Sequence, residues 1–368
     1  MGGKLLQTVT RNERFSRSEY FQYEHDVIDK LNHFVQFAVY PYVSFVVPKY
    51  FDTKESFGDL DILFCFTKEE KCRSGNGNDG ITDPINSQRH QILRQQIKDA
   101  LNPIEIVSTS AGSFSCNYKD IQVDFMKCPS PPSPSLFEGF QIFHSYSSFG
   151  QILGHMFRGT LLRYKQDGLY LRVMYDGDGD NQTIGEIHLS SNPRDYLPLM
   201  GLSFTNINTF YFQNPTDMFD YLFYCVFFCL HDFDRETGGS GSALKRKRHR
   251  PIFEQFVEYV CVTKEEQARS RMKESVDLDA TLEYFGKTEE YIQKITQHKR
   301  QRMFRNKFNG KAVGRITGLE GKELGRFMTH IRESSSSLPN FSSFVDYVIG
   351  TKEEDVYEYI QKQYVAWI

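Results

Sequence analysis

Apolar residues recur along this chain in two rhythms, one at helical spacing and one in short runs typical of strands. Residues 18–38 carry apolar positions about one helical turn apart after Ser18, a suitable N-cap, and so predict a first helix. Five further elements follow from the same patterns: strands at 42–47 and 59–66, a helix at 88–101, and strands at 104–108 and 121–126. This α-β-β-α-β-β order predicts a small mixed sheet with helices packed on it.

The pattern changes after a stretch of Pro and Ser residues at 129–134, which we interpret as a hinge. The elements predicted beyond it are a helix at 143–164 interrupted by glycines, strands at 168–174 and 182–189, a buried helix at 215–231, and amphipathic helices at 279–305, 314–331 and 344–365. Residues 237–242 are flexible by composition, either as a native loop or as an inserted linker.

The length of 368 residues exceeds that of most single cores, so we expect several domains. The expected fold class is α+β. A domain with a mixed sheet would occupy residues 1–135, a central mixed α/β domain residues 136–235, and a mainly helical domain residues 251–368.

The composition argues against a membrane protein or a secreted protein. The densest apolar segment, 221–230, is too short to span a bilayer, and the first residues lack the apolar core of a signal peptide. The 7 cysteines form no Cys-x-x-Cys pair, which favours reduced thiols over a zinc site. We therefore expect an intracellular protein, cytoplasmic or nuclear, without a membrane partner; the sequence indicates no oligomeric state.

The net charge of −3 is close to neutral, but the positive charge is concentrated in two places, 245–250 and 294–311. Local basic patches of this kind are typical of polyanion binding. The candidate nucleic-acid contacts are Lys245, Arg246, Lys247, Arg248, Lys299, Arg300, Arg302 and Arg305. A solvated linker or a localisation signal is the alternative interpretation of the first run.

Three aspartates stand inside apolar runs and are the strongest candidates for chemistry. Asp59 and Asp61 are separated by one residue, so they fall on the same face of the predicted strand, and Asp124 lies within a later strand. Buried carboxylates need compensation, and divalent cations, Mg²⁺ or Mn²⁺, provide it. A pair of such ions promotes nucleotidyl transfer. The alternative is that all three side chains are solvated at strand edges.

The segments Lys54-Glu55-Ser56-Phe57-Gly58-Asp59-Leu60-Asp61-Ile62-Leu63 and Val123-Asp124-Phe125 resemble the DNA polymerase β-like nucleotidyltransferase superfamily. The resemblance covers roughly residues 40 to 128. It implies a palm-like catalytic domain, a nucleoside triphosphate substrate, and Asp59, Asp61 and Asp124 as both metal ligands and catalytic residues.

The family's Gly-Ser pair, which contacts the triphosphate, is missing here, because Val47-Pro48-Lys49-Tyr50 stands in its place. Pro48 has no N–H to donate. We therefore expect Lys49 or Lys54 to supply a cation to the phosphates, and Ser56 and Gly58 to shape the turn beneath them. The hydroxyl that contacts the triphosphate would come from Ser44 or Ser56.

Residues 313–328, a Gly-rich turn and helix, are weakly similar to the tail region of tRNA CCA-adding enzymes. That similarity favours RNA as the acceptor, whereas a tight helix–turn–helix with packing glycines explains the same residues without nucleic acid. The sequence thus predicts nucleotidyl transfer to a nucleic-acid 3′ end, with RNA favoured. Transfer to a protein or small molecule and a non-catalytic nucleic-acid-binding scaffold remain the alternatives.

Overall fold

The computed structural model describes residue 6 and residues 14–37, 43–66, 84–109, 112–129, 133–177, 180–233, 250–334 and 341–368. The chain divides into two compact units. Unit 1 comprises Met1–Leu171 and His188–Leu278, and unit 2 comprises Arg172–Ile187 and Asp279–Ile368. These boundaries differ from those of the three domains expected from the sequence, and that division stays a prediction. The predicted linker at 237–242 and residues 130–132 of the predicted hinge lie outside the described residues.

Unit 1 contains the predicted mixed sheet, which confirms the α+β class. Its N-terminal elements are β1 (Phe15–Ser16), α1 (Arg17–Phe37), β2 (Val43–Val46), β3 (Ser56–Phe57), β4 (Leu60–Phe66), α2 (Pro84–Leu101), β5 (Ile106–Ser108), β6 (Phe114–Tyr118) and β7 (Ile121–Lys127). The strand order of the five-stranded sheet is β2-β4-β7-β6-β5, in which only the β4–β7 pair is parallel. The sequence pattern missed β6, whose residues are buried without alternation.

Side-chain alternation gives the central strands two different faces. Leu60, Ile62 and Phe64 of β4 join a core that includes Leu31 of α1 and Leu93 of α2. On the opposite face, Leu63 and Cys65 pack with Cys128, Leu136 and Phe140, of which the last two belong to helix α3 (Pro134–His144). Asp61 belongs to this second face, because it is two residues before Leu63.

The helices predicted beyond α3 are longer than those observed. The helices predicted at 279–305, 314–331 and 344–365 are each divided in two, by non-helical residues at 285–287, 318–320 and 351–352. The helix predicted at 143–164 is wrong, because α3 ends at His144 and α4 (Phe149–Met156) and β8 (Leu162–Lys165) follow. Tyr146 and Ser147 between the helices have φ of 55° and 63°, which no α-helix accommodates. The strands predicted at 168–174 and 182–189 are confirmed as β9 (Gly168–Gly177) and β10 (Asp180–Ser190).

The predicted helix at 215–231 is likewise too long. After α5 (Pro193–Tyr196), helix α6 (Pro215–Phe223) starts from a complete capping box of Asn214 and Asp217 and stops at Tyr224. The remaining helices of unit 1 are α7 (Pro251–Thr263) and α8 (Glu265–Ser270).

Unit 2 has its own helical core. Helices α9 (Leu278–Tyr284), α10 (Thr288–Lys307), α11 (Gly310–Thr317), α12 (Gly321–Ser334), α13 (Phe344–Gly350) and α14 (Glu353–Trp367) make up this part of the chain. Phe308, Phe327 and Ile360 belong to one buried cluster there. Gly318 ends α11 with φ of 73°, a conformation that favours glycine. Among the described residues, none of the helices is both long and apolar enough to cross a membrane.

Candidate functional site

The three aspartates of the sequence pattern meet in unit 1. Asp61 is the second residue of β4, and the parallel register of β4 and β7 places it directly beside Asp124. Asp59 precedes β4 by one residue and is therefore two residues from Asp61. One ligand oxygen from each carboxylate lies within 4.8 Å of the others, which is close enough for a shared cation.

The electrostatics of this cluster are unfavourable in the absence of a cation. Burial, together with the charge of Asp59, raises the pKa of Asp61 to about 7. Burial also raises the pKa of Asp124. Within the described part of the chain, Asp59 Oδ2 is buried and accepts no hydrogen bond. A cation would offset the buried negative charge, and carboxylate oxygens are the ligands that Mg²⁺ prefers. The residues present therefore fit a divalent metal.

Two buried side chains that the sequence analysis did not single out hold Asp124 in place. Gln122 Nε2 donates to Asp124 Oδ1 at 2.9 Å. Ser115, which pairs with Asp124 across β6 and β7, donates a second hydrogen bond. Both hydrogen bonds lower the pKa of Asp124 against the effect of burial. The signal available in the sequence was the spacing of Gln122, two residues before Asp124 on the same strand face.

The turn before Asp59 carries three of the residues predicted to bind the nucleotide. Lys54 Nζ lies 4.2 Å from the centre of the Phe57 ring, and burial lowers the pKa of Lys54. Ser56 Oγ accepts a hydrogen bond from Arg14 Nε at 3.0 Å. The Arg14 guanidinium also lies beside Gly58, 3.4 Å from where a Cβ would be. Sequence reasoning missed Arg14, because it lies far from this turn in the sequence.

Lys49, the fourth of these residues, is engaged elsewhere. Its ammonium donates to the carbonyl oxygens of Ile207, Asn208 and Phe210 at 2.5, 3.2 and 2.9 Å. An ammonium has three hydrogens, so these carbonyls use all of its donors. Lys54 is therefore better placed than Lys49 for a phosphate contact, although that role stays a prediction for both residues.

The candidate nucleic-acid contacts divide into two groups. Lys245, Arg246, Lys247 and Arg248 lie outside the described residues. Lys299, Arg300, Arg302 and Arg305 are on α10 of unit 2. Of these, Arg300 forms an ion pair with Asp346, and the Arg302 guanidinium lies 5.5 Å from the centre of the Tyr175 ring. Lys299 and Arg305 are exposed.

Arg250, at the end of the first basic run, is described and belongs to unit 1. Its Nη1 donates to the carbonyl oxygen of Ser147 at 3.4 Å. Burial lowers the pKa of Arg250, and the charge of Asp61 acts in the opposite direction. A guanidinium thus lies within electrostatic reach of the carboxylate cluster, which the charge run alone did not reveal.

Comparisons with known proteins give little further information. No protein-family model matches the sequence, and no curated protein matches it. Among solved structures, the chain is similar to the polymerase beta of Leishmania infantum in a ternary P/T complex, with a TM-score of 0.36 and 12% identity over 54% of this chain and 77% of that chain. At these values the similarity assigns neither a family nor an activity, and the resemblance of residues 313–328 to CCA-adding enzymes stays a prediction.

Proposed function

We propose that this protein is a metal-dependent nucleotidyltransferase, which transfers a nucleoside monophosphate from a nucleoside triphosphate to a hydroxyl group. The meeting of Asp59, Asp61 and Asp124 supports this proposal, since their ligand oxygens lie within 4.8 Å of one another and the buried Asp59 Oδ2 has no hydrogen-bond partner among the residues that the structure describes. Such a cluster lowers the stability of the fold unless it binds a cation.

Each aspartate would have a distinct role. Asp59 and Asp61 would hold two divalent ions, Mg²⁺ or Mn²⁺. Asp124 would help to hold one of them, the catalytic ion next to the attacking hydroxyl, and would accept the proton of that hydroxyl. Bound ions of this kind stabilise charge on phosphoryl oxygens. The bond formed joins the acceptor oxygen to the α-phosphorus, and the bond broken releases pyrophosphate.

For the acceptor we propose the 3′ end of a nucleic acid, with RNA favoured. The basic residues of α10 support a nucleic-acid acceptor, because Lys299 and Arg305 are exposed on one helix. Lysine and arginine side chains in that arrangement suit a phosphate backbone. The preference for RNA rests on the similarity of residues 313–328 to CCA-adding enzymes. Transfer to a protein or small molecule is the second candidate, and the assay below separates the two.

The test is incorporation of labelled nucleotide with Mg²⁺ or Mn²⁺, using each of the four ribonucleotides and deoxyribonucleotides. Single-stranded, duplex and tRNA-like primers serve as acceptors. The Asp59→Ala/Asp61→Ala variant should lose all incorporation. Asp99→Asn is the matched control, because Asp99 is an exposed carboxylate on α2 and should be dispensable.

Incorporation that survives in the Asp59→Ala/Asp61→Ala variant would refute the assignment. Transfer that occurs on no primer, while nucleotide binding persists, favours a protein or small-molecule acceptor. A non-catalytic scaffold predicts no Mg²⁺-dependent thermal shift with any nucleoside triphosphate, because such a shift requires binding to the native state.

A further inference from the structure

Arg14 and Lys54 place two positive charges around the turn that leads into the carboxylate cluster. Arg14 Nε donates to Ser56 Oγ at 3.0 Å, and its Nη2 donates to the Ser56 carbonyl oxygen at 3.0 Å. The guanidinium is therefore fixed on the turn by two bonds, and its Nη1 lies next to Gly58, the residue before Asp59.

Lys54 belongs to the same turn and lies two residues before Ser56 in the sequence. Its ammonium lies over the Phe57 ring, and no hydrogen bond or ion pair joins it to a described residue. Burial and the charge of Arg14 lower the pKa of Lys54, while Asp59 and Asp61 raise it. The two cations and the two carboxylates are thus close enough to influence one another.

The charge of this region depends on the metal. Three cationic side chains, Arg14, Lys54 and Arg250, lie near the three carboxyl groups. Two divalent ions at the carboxylates would add four positive charges and leave the region strongly positive. A polyanion would neutralise such a site, and a triphosphate chain carries several negative charges, comparable in number to the four positive charges added. The remaining donors of a guanidinium suit phosphate oxygens.

We propose that Arg14, with Lys54, binds the polyphosphate chain of the substrate at the Ser56–Gly58 turn. This inference rests on the proposed function and names a subsite within it. Arg14 is the new residue in this proposal. It would supply donors to the phosphates where Pro48 has no N–H and where the Lys49 ammonium is engaged with three carbonyls. The binding step requires no covalent change.

The competing explanation is that Arg14 only positions the turn and hence Asp59. The two roles predict opposite effects on the metal. Loss of a nearby positive charge raises the affinity of the carboxylates for a cation. Loss of a positioning contact displaces Asp59 and lowers that affinity.

The experiment measures three quantities in wild type, Arg14→Ala, Arg14→Lys and Ser56→Ala: Mn²⁺ affinity without nucleotide, affinity for inorganic tripolyphosphate with Mn²⁺, and KM for nucleoside triphosphate. We expect Arg14→Ala to weaken tripolyphosphate binding and raise KM about ten-fold to a hundred-fold, the usual effect of losing a charge-assisted hydrogen bond. Its Mn²⁺ affinity should be equal to or higher than that of wild type. Arg14→Lys should recover part of the loss, and Ser56→Ala, which keeps the guanidinium, should lose less than Arg14→Ala.

Arg17→Ala is the matched control, since the Arg17 guanidinium donates to the carbonyl oxygens of Phe51, Asp52 and Lys54 on the same loop. It should alter stability more than KM. Weaker Mn²⁺ binding in Arg14→Ala, or a KM equal to that of wild type, would overturn the proposal. Tripolyphosphate binding without nucleotide transfer to any nucleic-acid, protein or small-molecule acceptor would refute the proposed function and leave the subsite standing. Absence of tripolyphosphate binding in wild type would overturn the subsite itself.

Discussion

The hydrogen bond from Gln122 to Asp124 gives a sharp test of how this site is built. Replacing Gln122 with Leu keeps a side chain of similar size but removes the Nε2 donor that contacts Asp124 Oδ1 at 2.9 Å. Gln122 is only 7% exposed, so water cannot take over the donor's place. Asp124 would retain Ser115 as its hydrogen-bond partner.

The magnitude follows from the charge of the acceptor. A hydrogen bond to a charged group contributes about 1.5–3 kcal/mol to stability. We expect Gln122→Leu to lower the free energy of unfolding by about that amount. If Asp124 acts in catalysis, an equal loss in the transition state lowers kcat about ten-fold to a hundred-fold, with little change in KM.

The chain offers a matched control for this substitution. Gln95 Nε2 donates to Asp99 Oδ1 at 2.8 Å, the same pair of groups at nearly the same distance, but both side chains are exposed. Gln95→Leu should change stability by less than about 0.5 kcal/mol and leave kcat unchanged. Urea unfolding and steady-state kinetics measure both quantities. An unchanged kcat in Gln122→Leu, or an equal loss in both variants, contradicts the role given to Gln122.

Three further predictions concern pH, the two lysines and a close packing contact. Because burial raises the pKa of Asp61 from 3.8 to about 7, its folded state binds protons more tightly than its unfolded state, so stability in EDTA should fall as pH rises from 3.8 towards about 7. Mg²⁺ should reduce this fall in urea unfolding, and a pH-independent midpoint would contradict it. Lys49→Met should lower the free energy of unfolding by about 1–3 kcal/mol, because three carbonyl oxygens lose their donor. Lys54→Met should instead raise the KM for nucleoside triphosphate. A reversal of these effects in melting and kinetic assays would assign the phosphate contact to Lys49. Gly150→Ala should destabilise by about 1–3 kcal/mol, measurable as a lower Tm, because its Cβ would lie 2.5 Å from the Phe143 carbonyl oxygen; an unchanged Tm would refute that packing.

Local patterns predicted the carboxylate cluster but not its surroundings. Alternation along a strand is a property of a few consecutive residues, so Asp59 and Asp61 could be assigned to one face from the sequence. The parallel pairing that places Asp61 beside Asp124 joins residues more than sixty positions apart. The same limit hid Arg14, which reaches Ser56 across 42 positions.

The errors in helix length have the same origin. The apolar spacing around Tyr146 suits a helix, yet its hydroxyl donates to the Phe210 carbonyl oxygen and accepts from the Phe212 N–H. These partners lie more than sixty residues away and fix Tyr146 in a left-handed conformation that ends the helix. The contacts of Lys49 are also long-range, because its three carbonyl partners lie at 207–210. They could not be inferred from the residues next to Lys49 in the sequence.

The arrangement of charges also bears on the non-catalytic alternative. A scaffold that only binds a partner gains nothing from a buried carboxylate whose Oδ2 has no hydrogen bond among the described residues, as in Asp59. Gln122 and Ser115 stabilise the ionised form of Asp124, although a neutral side chain would remove the cost of burial altogether. These two hydrogen bonds stabilise a charged carboxylate at a position where burial disfavours charge. A cation bound to the carboxylate cluster accounts for that arrangement. The same cation would turn Arg14 and Lys54 from counter-ions of the carboxylates into ligands for a polyanion, which ties metal binding and substrate binding to one cluster of residues.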